Sequence, residues 1–95
     1  MLIKEFIGRA PHVYFYMRDK ATCLRFYRDA EKEGISFGGK RPTKKAWSDL
    51  IALCADERIC YVGFAGRILY QSGDDAQVLR IDYAAFADGE KRFIL

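Results

Sequence analysis

The chain has 95 residues and a formal net charge of +3, with 51% hydrophobic and 15% aromatic residues. That length supports one domain with a single core, and that apolar content rules out a disordered chain. No apolar run is long enough to span a bilayer. The opening MLIKEFIGRAPHVYF also lacks the continuous apolar stretch of a secretory leader, so a cytoplasmic protein is expected.

His12 to Arg18 (HVYFYMR) alternates in the manner of a strand, with Val13, Phe15 and Met17 on one face. His12, Tyr14, Tyr16 and Arg18 fall on the other. Asp19 then suits the N-cap of a helix running from about Lys20 to Glu33. Cys23, Phe26, Tyr27 and Ala30 form its apolar stripe, opposite Arg25, Arg28, Asp29 and Lys32. Gly34 is placed to stop the helix in a left-handed conformation. Gly38 and Gly39 make a turn, and Pro42 with Thr43 opens a short helical turn reaching Trp47, a residue type more often found in the core than as an exposed stacker.

Asp49 to Cys54 and Arg58 to Phe64 read as a hairpin around the loop Ala55, Asp56, Glu57. The competing reading makes residues 43–54 one helix, since Leu50, Ile51 and Leu53 fit either period. Arg67 to Gln71 is a third strand candidate, SGDDAQ a loop, and Val78 to Tyr83 a further strand. This order predicts an α+β domain spanning residues 1–95. A mostly antiparallel sheet of four to five strands would carry one long helix on one face.

The stretch GISFGGKRPTKKAW, Gly34 to Trp47, comes close to the G-x-x-x-x-G-K-[ST] phosphate loop. Arg41 stands where the magnesium-binding hydroxyl belongs. The glycines also follow a helix end, whose dipole repels anions, instead of opening a helix. What survives is a basic cluster, Lys40, Arg41, Lys44 and Lys45, followed by Trp47. It is suited to a phosphate-bearing ligand or an acidic partner surface.

A single helix would leave the second sheet face open. Tyr14 and Tyr16, with Tyr61 and Tyr70 joining them, would form an amphipathic contact surface beside His12 and Arg18. That surface would serve a homodimer, stack bases, or lie beneath the chain's own ends, MLIKEFIG and EKRFIL. Base stacking invites comparison with the RNA-recognition domain. Its second helix would have to occupy AGRILYQSGDDAQ, which carries Gly66, Gly73 and two aspartates and reads as a poor helix.

Cys23, Cys54 and Cys60 are odd in number and lack C-x-x-C spacing. They read as reduced thiols, each a small buried hydrophobe, with no metal centre and no cofactor. The single histidine supplies no triad, and no paired titratable groups emerge for acid–base catalysis.

The stretches YRDAEKEGISFGGKRPT and ICYVGFAGRILY resemble those of small uncharacterised proteins of phages and mobile elements of Gram-positive gut bacteria. The resemblance covers about Val13 to Tyr70. It implies a small cytoplasmic accessory domain that works by occupying a partner protein, nucleic acid or nucleotide signal. The expected function is therefore a non-catalytic, self-associating binding module. Its contact residues would be Lys40, Arg41, Lys44, Lys45 and Trp47 in the loop, and His12, Tyr14, Tyr16 and Arg18 on the strand. The alternative is a nucleotide or single-stranded nucleic-acid binder using the same loop and the strand tyrosines.

Overall fold

The structure is a computed structural model that describes residues 2–95. Five strands form one sheet: β1 (His12–Tyr16), β2 (Ser36–Phe37), β3 (Leu50–Cys54), β4 (Arg58–Tyr61) and β5 (Val78–Asp82). Three helices accompany them, α1 (Lys20–Lys32), α2 (Phe64–Ser72) and α3 (Tyr83–Ala87), with 3-10 turns at Ile3–Phe6 and Pro42–Lys44. The strand order is β2-β4-β3-β1-β5.

Helix α1 forms as its sequence dictates. The Asp19 carboxylate accepts the Thr22 amide at 2.8 Å, satisfying one of the free donors of the first turn. At the far end Gly34 adopts φ +78°. The Gly34 and Ile35 amides then bond back to the carbonyls of Glu31 and Ala30, a Schellman closure. Cys23, Phe26, Tyr27 and Ala30 are all fully buried.

The stripe of α1 packs on the face of the sheet formed by Val13, Phe15, Ile51, Leu53, Ile59 and Ile81. Both chain ends join this same core. Ile3 and Phe6 are buried in it, and the Phe6 ring meets Phe15, Phe86 and Phe93 edge-on at 5.9, 5.3 and 6.0 Å.

The hairpin forms as read, with β3 and β4 antiparallel and Glu57 in the loop at φ 60°. Residues 43–54 are therefore not one helix: the 3-10 turn ends at Lys44 and Leu50 starts β3. The segment Arg67 to Gln71 is the clear correction. It is not a strand but the middle of α2. With a helix between β4 and β5, the chain crosses the sheet and β5 pairs parallel to β1. β2 likewise pairs parallel to β4, so the sheet is mixed and not mostly antiparallel.

Helix α2 lies on the second face and closes it. Tyr14, Leu50 and Val78 form a second buried cluster there, with Tyr16, Ala52, Val62, Leu69 and Tyr70 against it. The open tyrosine surface expected from one helix on one face does not exist. The tails do not provide the cover either, because they sit on the α1 side or at the sheet edge.

That edge, β5, is sealed by the C-terminal residues. The Asp82 amide bonds the Phe93 carbonyl at 2.8 Å and the Leu95 amide bonds the Arg80 carbonyl at 2.9 Å. β2 at the opposite edge has only two residues. Both edges are thus blunted against pairing with another chain.

Candidate binding surface at the carboxyl end of the sheet

Four of the five strands, β2, β4, β1 and β5, run in one direction, and only β3 opposes them. Their carboxyl ends therefore gather on one side of the molecule. The segments leaving them turn to opposite faces: β1 leads to α1 on the first, β4 to α2 on the second. Such a divergence opens the end of a sheet to ligands. Here it collects Tyr16, Arg18, the residues from Ala46 to Asp49, and the start of α2.

Of the residues singled out from sequence, Tyr16, Arg18 and Trp47 lie at this end and Lys45 approaches it over the Tyr61 ring, whereas Arg41 is tied to Glu31 near the C-terminus of α1, toward the other end of the sheet, with Lys40 beside it against Phe37. His12 and Tyr14 do not lie at this end. His12 is exposed at the other end of β1, its ring parallel to that of Tyr14 at 6.3 Å. Tyr14 is only 5% exposed beneath α2, where it meets Tyr70 edge-on at 5.7 Å. Burial raises the Tyr14 phenol above its ordinary value, with a further push from the Cys60 thiol. It is a packing residue and cannot stack a base.

The basic loop is anchored, not floating. Arg41 reaches the Glu31 carboxylate on α1 at 2.9 Å, and the Thr43 hydroxyl bonds the other carboxylate oxygen at 2.8 Å. These bonds, Arg41 first, pull the Glu31 carboxyl down to about 2 from 4.5. Pro42 is buried against the helix end. Farther along, Tyr27 from α1 and Tyr61 from β4 both donate their hydroxyls to the Ala46 carbonyl, at 2.8 and 2.7 Å. Trp47 follows directly. It stands 45% exposed, so of its two readings the core one does not hold.

A carboxyl whose folded pKa is depressed stabilises the fold above its unfolded pKa and loses that contribution as pH falls. For Glu31 the loss runs from near 4.5 down through about 2. Titrating the Glu31 carboxyl by NMR should give a midpoint close to 2, returning toward 4.5 in Arg41→Ala. A midpoint near 4.5 in the unaltered protein would mean the loop is not held.

The Arg41–Glu31 pair at 2.9 Å lies at the C-terminal end of α1, and two ion pairs stand at the carboxyl end of the sheet: Arg18–Asp82 at 3.2 Å and Arg67–Asp49 at 2.7 Å. The last ties α2 to the start of β3, and it holds the Asp49 carboxyl below its usual range. Among the described residues Lys40, Lys44 and Lys45 pair with no carboxylate. The Lys45 ammonium instead lies over the Phe37 and Tyr61 rings, 5.1 and 5.6 Å from their centroids.

Sequence reasoning missed Phe64 and Ile68 by treating their segment as strand. They stand one turn apart on the outer side of α2, 85% and 49% exposed. Asp82 contributes a further feature, since its Oδ1 is buried with no hydrogen-bond partner. A small cavity of about 160 Å³ lies nearby, lined by Tyr16, Asp49, Arg67 and Tyr70 among others. A larger cavity, about 560 Å³, lies elsewhere, between α1, α3 and the N-terminal turn. Several of its polar groups are already engaged: Arg25 with Asp88, Tyr83 with Asp29, and Glu33 with the Ile3 and Lys4 amides.

Among the described residues no helix is long and apolar enough to cross a membrane. Among these residues, too, no group of three His, Cys, Asp or Glu side chains is arranged to hold a metal. Compared with family models, with curated proteins and with solved structures, the chain matches none.

Proposed function

We propose that the protein is a non-catalytic binding module that holds an acidic segment of a partner protein at the carboxyl end of its sheet. One observation carries this reading. Among the described residues three lysines without carboxylate partners, Lys40, Lys44 and Lys45, lie along the segment that runs from the C-terminus of α1 up to the carboxyl end of the sheet, where two large exposed aromatic side chains, Trp47 and Phe64, stand. Cations at a rim steer and orient an anionic partner, while desolvated aromatic anchors supply most of the affinity. Arg41 acts differently from the other cations, because Glu31 already takes its guanidinium. Its role is to hold the loop.

The resemblance to phage and mobile-element proteins fits a small cytoplasmic accessory protein that occupies a partner. Self-association through the tyrosine face or an edge strand is not part of the proposal, since α2 covers the one and the other edges are short or sealed.

A displayed random-peptide library panned on the protein tests the reading. Enriched peptides should be acidic with an apolar anchor. The variant carrying Lys40→Glu, Lys44→Glu and Lys45→Glu should lose them. Phe64→Asp should weaken them by roughly tenfold to a hundredfold. Enrichment without acidic bias, or unchanged binding to both variants, would reject the proposal. Sedimentation in which Phe64→Asp abolishes a dimer would replace the partner by a second copy.

A second reading draws on Trp47 beside unpaired lysines, an arrangement that also suits single-stranded nucleic acid. Binding of a mixed-sequence oligonucleotide that falls steeply with salt and quenches Trp47 would favour it. The strand tyrosines have no part in either reading.

A further inference from the structure

At the opposite end of the sheet, Cys54 closes β3 and Cys60 lies within β4. The ladder pairs Cys54 with Arg58 and Ala52 with Cys60, so the two cysteines are diagonal neighbours on the second face. Their sulfurs are 3.7 Å apart. Sequence reading made both small buried hydrophobes, and only Cys23 behaves so: Cys54 is half-buried and Cys60 exposed. Beside them a cavity of about 280 Å³ opens between β1 and β3, lined by His12, Tyr14, Ala52 and Cys54 among others.

The spacing decides what such a pair can do. A disulfide needs sulfurs about 2.05 Å apart and Cβ atoms within about 3.5–4.5 Å. Diagonal residues across an antiparallel pair stand roughly 7 Å apart. Joining them requires the backbone of the hairpin to move. A shared metal ion does not require this. Two metal–sulfur bonds of about 2.3 Å meeting at the tetrahedral angle place the sulfurs about 3.8 Å apart.

We propose that Cys54 and Cys60 form a bidentate dithiolate site for a thiophilic divalent cation of the zinc class. Among the described residues no third histidine, cysteine or carboxylate completes the group. The remaining coordination positions are open to water or to a small thiol or imidazole ligand. Binding forms two metal–sulfur bonds and breaks two S–H bonds, with both protons passing to solvent. No electron is transferred, and the ion stays divalent. The site takes no residue from the basic loop and does not depend on how that loop is used.

Titration of the reduced protein with Cd²⁺, in the presence of a phosphine reductant, reads the site through the ultraviolet thiolate-to-cadmium absorption band. The band should saturate at one equivalent, and Zn²⁺ should displace it. Cys60→Ser and Cys54→Ser should each weaken binding at least tenfold, with Cys23 unchanged in both as an internal control. Cys60 is exposed, so its serine variant is the one expected to fold normally. Absence of the band, or equal affinity in Cys60→Ser, would overturn the proposal. So would ready conversion of the pair to an internal disulfide by glutathione disulfide, since that would show the hairpin geometry to be misjudged.

Discussion

Replacing Phe26 with alanine should cost about 3–5 kcal/mol and lower Tm by roughly 15–30 °C. Phe26 is fully buried at the centre of the first core, its ring centroid 4.9 Å from both Phe15 and Tyr83 and 6.2 Å from Tyr27. It thereby joins α1 to β1 and to α3. Removing the ring forfeits its transfer free energy and leaves a void that three large rings cannot refill without leaving their own positions. A domain of this size is stable by only about 5–15 kcal/mol, so the variant should sit near the threshold of folding. Thermal unfolding followed by circular dichroism reads the change. Phe26→Leu, which keeps most of the volume, should recover the larger part of it. A loss below about 1 kcal/mol in Phe26→Ala would show that the site can collapse around the missing ring.

The second large effect is expected at Gly73, for the opposite reason. A Cβ there would stand 2.6 Å from the Leu69 carbonyl oxygen, 2.7 Å from a Val78 methyl and 2.8 Å from a Leu69 methyl. Because one of the three is backbone, no rotamer change relieves the clash. Gly73→Ala should therefore force the end of α2 away from β5 and cost about 1–3 kcal/mol. Arg80 binds at the same place, donating to the Gly73 and Tyr70 carbonyls at 2.6 and 2.7 Å. Loss of that clamp should appear as faster amide exchange confined to α2 and the start of β5. Uniform loosening of the whole domain, with no preference for α2, would contradict this placement of the helix.

Gly73 also shows why α2 was hidden in the sequence. The segment FAGRILYQSG reads as strand and turn because its glycines look like breakers and its Ile-Leu-Tyr run looks β-like. Gly66 is there for close approach: a Cβ would stand 2.7 Å from Val62 Cγ1 and 3.6 Å from the Tyr14 hydroxyl. Such glycines mark packing distance, which no local pattern reveals. The helix also buries no residue completely, so its apolar period is blurred, with Phe64 and Ile68 turned outward. α1, by contrast, was legible end to end. Its cap, its stripe and its stop are all local features, and the stripe meets the core alone.

The error over α2 spread by topology. A strand at Arg67 to Gln71 makes the chain meander and keeps the sheet antiparallel. A helix there carries it across to pair β5 parallel with β1. The same error left the second face bare and made Tyr14 a contact residue. Whether Trp47 is core or surface was not legible for a different reason. The Ala46 carbonyl is taken by two tyrosine hydroxyls from distant parts of the chain, and this tertiary tie holds the backbone where the neighbouring indole faces outward. The basic loop was visible as charge, while its anchoring at Glu31, ten positions before Arg41, was not.

Hydroxyl-radical footprinting of the folded protein, read by mass spectrometry, asks directly which aromatic side chains solvent can touch. Phe64 and Trp47 should oxidise readily and become protected when a selected acidic peptide is bound, while Tyr14 stays unreactive throughout. Oxidation of Tyr14 on a par with Phe64, with no protection of Trp47 or Phe64 by the peptide, would place the open face back on the strands and contradict the assignment of the binding surface.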